Sequence, residues 1–300
     1  MSTASLFQLL LLAAIWGASF LFLRIAVPVL GPAWLIEARV ALAALLLWVV
    51  ARWLRQPPLG LRGHGRHYLV LGLFNTALPF LFFAYAARTL PASLMSILNA
   101  TGPIWGALIA ALWQRTPLPP RVAVGLLLGV AGVVLLLGVE PAAMQAGAAP
   151  AIAATLAATC CYGIASNYAR VASTPGPLAN AHGSMWAALL WVVPLLLLMP
   201  PPVPALPSPG VLATVAALGL LCTGVAYLLY FRLVADIGAA PALTVGFLIP
   251  LFGVLWGCLF LGETVGWHTL AGATVVVLGT ALVTGFTPRM LWPAKAVSHE

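Results

Sequence analysis

The residues of this chain that can do chemistry are few, and each sits inside a long apolar run: Trp16 and Ser19, Asn75, Ser96 and Asn99, Tyr162 and Asn167, Trp186, Thr223 and Tyr227, Thr244 and Phe247. Hydroxyls, carboxamides and rings in this mixture hold a small molecule by hydrogen bonding and apolar contact. A carboxamide needs several partners and cannot find them all on its own helix, so Asn75, Asn99 and Asn167 are either glue between helices or contacts to a bound molecule. The hydroxyl residues have the further option of bonding back to a carbonyl of their own helix. The rings of Trp16, Phe20, Phe83, Tyr162, Trp186, Tyr227 and Phe247 either form a wall for an apolar group or pack.

Covalent chemistry fits these residues badly. There is no G-x-S-x-G and no H-E-x-x-H, and Asp236 is the one aspartate in the chain, so an aspartyl dyad or a zinc-protease helix cannot be assembled. Ser184 two residues from His182 is the nearest approach to a nucleophile and base, and nothing supports it. An ATP-driven pump is excluded because Lys295 is the single lysine and no Walker motif exists. Cys160, Cys161, Cys222 and Cys258 lie in apolar runs without metal-ligand spacing. The chain is expected to be no enzyme and to need neither cofactor nor metal.

The elements that position the polar residues follow from composition. A chain of 300 residues that is 63% hydrophobic and 6% charged cannot present a water-compatible surface, where roughly 25% charge is usual. Cutting at polar, proline and glycine punctuation gives ten segments, near 6–27, 33–54, 67–88, 91–113, 121–139, 150–170, 178–199, 210–234, 239–262 and 266–286. The expected fold class is an all-α membrane protein of ten transmembrane helices. With the N-terminus cytoplasmic, the inner side receives ten basic residues (Arg52, Arg55, Arg62, Arg66, Arg115, Arg121, Arg170, Arg232, Arg289 and Lys295) and the outer side only Arg24 and Arg88. Both termini are therefore expected in the cytoplasm. The net charge of +8 reads as membrane-orienting charge, not as a nucleic-acid surface.

The chain is written twice. Pro103, Gly106, Gly125, Gly132 and Gly138 recur 147 residues later as Pro250, Gly253, Gly272, Gly279 and Gly285, and Trp16-Gly17 aligns with Tyr162-Gly163. The expected units are 1–145 and 146–300, five helices each. An odd number inverts the second copy relative to the first, the arrangement carriers use around a central site. Pro79, Pro103 and Pro250 each delete a helix hydrogen bond, so they are hinges or static kinks. Gly102 with Gly106, Gly125 with Gly129 and Gly253 with Gly257 have the spacing of close helix packing.

No acidic residue falls at mid-span. Glu140, Asp236 and Glu263 lie at span ends, and Glu37 is near the outer face, where with Arg39 and Arg24 it forms an interfacial charge cluster or an outer gate. Its counterpart in the second half is His182, either packing or a titratable gate residue, and His64, His67, His268 and His299 belong to loops or ends.

Five plus five helices, the repeated Pro-x-x-Gly at Pro103 and Pro250, and Phe260-Leu-Gly-Glu263 before the last helix resemble the drug/metabolite transporter (DMT) superfamily and, within it, the EamA exporters. The Trp16-Gly17-Ala18-Ser19-Phe20 opening is similar to the YddG-type amino-acid exporters of bacterial inner membranes. One departure is visible: the family often carries Gly-Glu after the fourth helix, where this chain has Arg115-Thr116. The resemblance implies a cavity lined by the first, third, fourth, sixth, eighth and ninth helices, with the fifth and tenth as scaffold. It implies export of neutral or aromatic amino acids and related metabolites by alternating access. The absence of a central carboxylate points to uncoupled movement. The alternative is a drug-cation or other metabolite exporter coupled to protons. The expected partners are a small-molecule substrate and the lipid bilayer, with no nucleic acid, and the chain is compatible with a monomer.

Overall fold

A computed structural model of the chain describes residues 2–57, 59–139, 145–172, 176–199 and 207–286; Glu140, Arg289, Lys295 and His299 lie outside them. Among the described residues all regular structure is helical. The helices are α1 (Thr3–Trp53), α2 (Leu61–Leu71), α3 (Leu78–Ala86), α4 (Ala92–Asn99), α5 (Gly102–Gln114), α6 (Pro120–Val139) and α7 (Ala148–Val171). They continue as α8 (Pro177–Leu198), α9 (Pro209–Ala216), α10 (Ala226–Ile237), α11 (Ala239–Ala242), α12 (Val245–Leu261) and α13 (Trp267–Thr284). A π-helical turn, Gly72–Ala77, joins α2 to α3, and a second, Ala217–Val225, joins α9 to α10.

Eight of the helical runs among the described residues are long and apolar enough to cross a membrane, and α12 is a shorter apolar helix of 17 residues. Several of the expected boundaries fall differently. The loop expected between the first two segments is replaced by one residue, Gly31, whose φ of 73° and ψ of 163° break α1 between Pro28 and Pro32. The chain reverses there. Phe20 packs on Phe83 and the Arg39 guanidinium lies over Phe80, whereas 19 residues of unbroken helix would separate Phe20 from Arg39 by about 28 Å. The ninth segment is interrupted at Leu243 and Thr244, between α11 and α12.

Glycine contacts give the relation between the halves. An added Cβ at Gly125 would lie 2.8 Å from the Gly279 carbonyl oxygen, and one at Gly132 would lie 3.1 Å from that of Gly272. Gly125 and Gly132 are the first-copy equivalents of Gly272 and Gly279, so the two contacts exchange under the repeat, as a two-fold axis requires. Early residues of α6 meet late residues of α13, so the two helices run antiparallel. The same exchange holds where Gly17 meets Phe252 and Gly253 while Gly163 meets Trp105 and Gly106.

Lipid and core are separated as this plan needs. The second limb of α1 is buried at Leu35, Ile36, Val40, Ala43, Ala44 and Leu47, while Leu127, Leu197 and Leu259 stand exposed on outward faces. In lipid such cores are held by close van der Waals packing and by hydrogen bonds between helices. Among the latter, Trp256 donates to the Ala14 carbonyl at 2.9 Å.

Candidate functional site

The two π turns sit at equivalent places in the two copies and mark the middle of the bundle. A π turn widens a helix by one residue and re-aims the side chains beyond it, which is why it recurs at functional sites. Pro79 lacks the N–H that would reach the Asn75 carbonyl four residues back, consistent with a π turn over Gly72–Ala77. From this turn Asn75 donates to the Tyr227 hydroxyl at 3.1 Å, linking the third helix of the first half to its counterpart in the second.

Arg39 lies beside that link. It is 5% exposed, and it sits seven residues past Pro32, about 10 Å into the second limb of α1. Its Nε donates to Thr223 Oγ1 at 2.9 Å, and Thr223 passes its own proton to the Leu218 carbonyl inside the second π turn. The Phe80 ring covers the guanidinium at 3.6 Å from its centroid. The hydroxyls of Tyr162 and Tyr227 and the thiol of Cys222 are its electrostatic neighbours. Ser19 is buried against the same thiol. Apolar rings complete the surroundings: Phe20 packs edge-on to Phe83 at 5.4 Å, and Phe83 lies 6.3 Å from Tyr162.

Arg39 overturns the expected charge cluster. Among the described residues no carboxylate pairs with it, and Nη1 and Nη2 make no hydrogen bond. Glu37, two positions away, points to the opposite side of the helix, with Oε2 buried and unpartnered. Arg24 turns elsewhere, donating to the Ala87 carbonyl at 2.9 Å. The sequence alone did not single out Arg39 because it stands two turns from a helix end, where arginines usually reach water. Its surroundings come from residues about 20 to 188 positions away.

The other expected site residues divide among different places. Ser19, Asn75, Tyr162 and Tyr227 converge on Arg39. Trp16 flanks the group through the Tyr230 ring at 5.6 Å. Asn99 is half-buried at the end of α4, four residues before Pro103, and makes no hydrogen bond among the described residues. Asn167 is a clamp: its Nδ2 donates to the Gly106 carbonyl at 2.8 Å and the Gly163 carbonyl at 2.9 Å, tying α7 to α5. Ser96 bonds back to Ser93 and packs on Gly253, and Thr244 bonds back to Pro241 at the interruption before α12. Phe247 packs on Phe286, away from the centre. Pro103 opens α5 after the break at Ala100 and Thr101, whereas Pro250 lies inside a continuous α12.

The two ends of the bundle differ. At one, the end of α1, the start of α2 and the start of α8 border an open cleft of about 730 Å³ lined by Trp48, Arg52, Arg62, His182 and Trp186 among others. Trp186 donates to His182 Nε2 at 2.7 Å within it. His67, expected at an end, is buried near this face and bonds to Asn180 at 2.9 Å. At the opposite end hydrogen bonds join the two halves. Glu263 accepts hydrogen bonds from the Ala92 and Ser93 amides at 2.7 and 3.0 Å, capping α4 from the other half of the molecule, and Trp34 donates to the Met199 carbonyl.

Comparison with known proteins agrees with this architecture. A model of the EamA-like transporter family matches residues 3–138 and again 149–285. An uncharacterized transporter of Archaeoglobus fulgidus is 23% identical over 283 residues, covering 92% of this chain and 96% of its own length. A second transporter from the same organism, also uncharacterized, is 25% identical over 277 residues, covering 90% and 93%. A protein of known crystal structure shares the fold with a TM-score of 0.60 at 19% identity, over 94% of this chain and 96% of that one.

Proposed function

We infer that this chain, which belongs to the EamA-like transporter family and is a multi-pass membrane transporter, exports neutral and aromatic amino acids and related small metabolites. The observation that carries the substrate reading is the convergence of Ser19, Asn75, Tyr162 and Tyr227 from both halves beside the rings of Phe20, Phe80 and Phe83. Polar groups of this kind at membrane depth hold a polar head, and the rings receive an apolar side chain. We read the helices as ten spans, with Gly31 separating the first two, in units 1–145 and 146–300. The location proposed is a bacterial inner membrane with both termini cytoplasmic, which puts the Arg52 and Arg62 cleft on the cytoplasmic side.

Transport would proceed by alternating access, the two halves exchanging roles about their pseudo-two-fold axis. Movement would be uncoupled, because no carboxylate belongs to the central group and Glu37 lies on the other side of its helix. A buried guanidinium at the centre also disfavours the drug-cation alternative, since like charges repel strongly where water is absent. The test is flux of radiolabelled phenylalanine into proteoliposomes with and without a pH gradient and protonophore. Saturable flux indifferent to the gradient is expected. Absence of saturable flux removes the amino-acid assignment, and stoichiometric proton movement removes the uncoupled one.

A further inference from the structure

The central group around Arg39 has an imbalance of hydrogen-bonding character that names the head of the molecule it binds. A buried cation without a counter-ion is costly, and the Phe80 face and the single bond to Thr223 offset only part of that cost. Thr223 holds Nε and Phe80 covers one face, so the guanidinium is fixed in orientation while its two Nη groups have no hydrogen-bond acceptor among the described residues. The tyrosine hydroxyls beside it can donate as well. Tyr227 already accepts from Asn75, which leaves its own proton to give, and the Tyr162 hydroxyl makes no hydrogen bond among the described residues. Donors outnumber acceptors around a fixed planar fork, and that fork matches a carboxylate in two-point geometry.

We propose that Arg39 is the carboxylate anchor of the transport site, with Tyr162 and Tyr227 as auxiliary donors, so that the substrates are carboxylates bearing an apolar or aromatic tail. The proposal rests on the central group being the substrate site, and it narrows that reading: the anion is the recognised head, and an ammonium group is not required. It accounts for an arginine kept at membrane depth without a partner, since the partner is the cargo. Arg52 and Arg62, which line the cleft at one end of the bundle, have the sign that attracts such a head.

The test uses the full chain in nanodiscs and three probes: phenylalanine, phenylalaninamide, which lacks the carboxylate, and hydrocinnamate, which lacks the ammonium. Both acids are expected to raise the melting midpoint and the amide to leave it unchanged. Arg39→Gln should weaken both acids by about ten- to a hundredfold, the factor for a lost charge-assisted hydrogen bond. Its ligand-free midpoint should stay level or rise, because an uncompensated buried charge has gone. Arg39→Lys should retain a weaker preference for acids, since charge remains without the fork. Equal shifts from phenylalanine and its amide overturn the anchor and leave the amino-acid reading standing. A shift from hydrocinnamate alone, lost in Arg39→Gln, does the reverse. No shift from either acid overturns both, and the comparison of probes on the unmodified chain holds whether or not a variant folds.

Discussion

At the scale of single residues, the three asparagines that looked alike in the sequence have different duties. Asn167 uses both amide protons on backbone carbonyls of two helices, so Asn167→Leu should destabilise the bundle by about 1–2 kcal/mol and lower the melting midpoint, with substrate affinity unchanged in the folded fraction. Asn75 bonds a single tyrosine hydroxyl beside the buried guanidinium, so Asn75→Leu should leave the midpoint within a few degrees of wild type and reduce phenylalanine flux severalfold. Melting and flux measured on the same two variants check both, and the reverse pattern would exchange the assignments. Four of the central residues were legible in the sequence because a polar group in an apolar run has few reasons to be there. Arg39 was not, because an arginine about two turns into a span usually reaches water along its own helix, and the surroundings that bury this one are set by the reversal at Gly31 and by the second π turn. Glu263 lies just past the end of α12, at the span end its sequence position gives, but its partners are main-chain amides about 170 residues away, which no side-chain pattern announces.

At the scale of elements, the glycine pattern legible in the sequence foretold a packing seam, but not that the seam joins the two copies. The fixed offset of 147 residues identified equivalent glycines, and the contacts show which meet: those of α6 lie against α13 at near backbone distance. At these glycines the spacing is set by main-chain atoms that cannot rotate away, with the Val276, Val283 and Leu136 side chains beside them. Gly279→Ala places a methyl carbon 2.6 Å from the Gly129 amide nitrogen and 2.7 Å from the Gly125 carbonyl oxygen, both below contact distance. It should cost about 1–3 kcal/mol by forcing α13 off α6. Gly246→Ala, where nothing lies within 4 Å of the added carbon, should be close to neutral. Thermal melts of the two variants in one detergent give the comparison, and a Gly279→Ala midpoint equal to that of Gly246→Ala would show that the seam yields. Because α6 and α13 pack mainly on each other and on α5, carboxylate affinity in the surviving folded protein should not move, as is expected if the seam serves as scaffold.

At the scale of the whole molecule, the repeated halves are joined by unequal contacts at the two ends, and that inequality is expected to bias the resting state. The repeat relates Glu263 to Thr116, so the carboxylate that clamps the first turn of α4 has no equivalent clamping the start of the second half's matching helix. One end is thus held by Glu263, Trp34 and Arg24, while the other keeps its 730 Å³ cleft between α1, α2 and α8. Alternating access between these ends requires the Glu263 clamp to open while the cleft closes. Cys222 reports on both events, being 1% exposed and an electrostatic neighbour of Arg39. With Cys160, Cys161 and Cys258 replaced by alanine, a small impermeant thiol reagent should reach Cys222 slowly from the Arg52 and Arg62 side and hardly at all from the other. Glu263→Ala removes two charge-assisted bonds that join the halves at that end, so it should raise labelling from the Glu263 side by about tenfold or more. Bound phenylalanine should slow labelling from either side, because it occupies the space beside the thiol. Labelling that ignores both Glu263 and substrate would mean that the passage does not run past Arg39, and the centre of the bundle would then be structural on both counts.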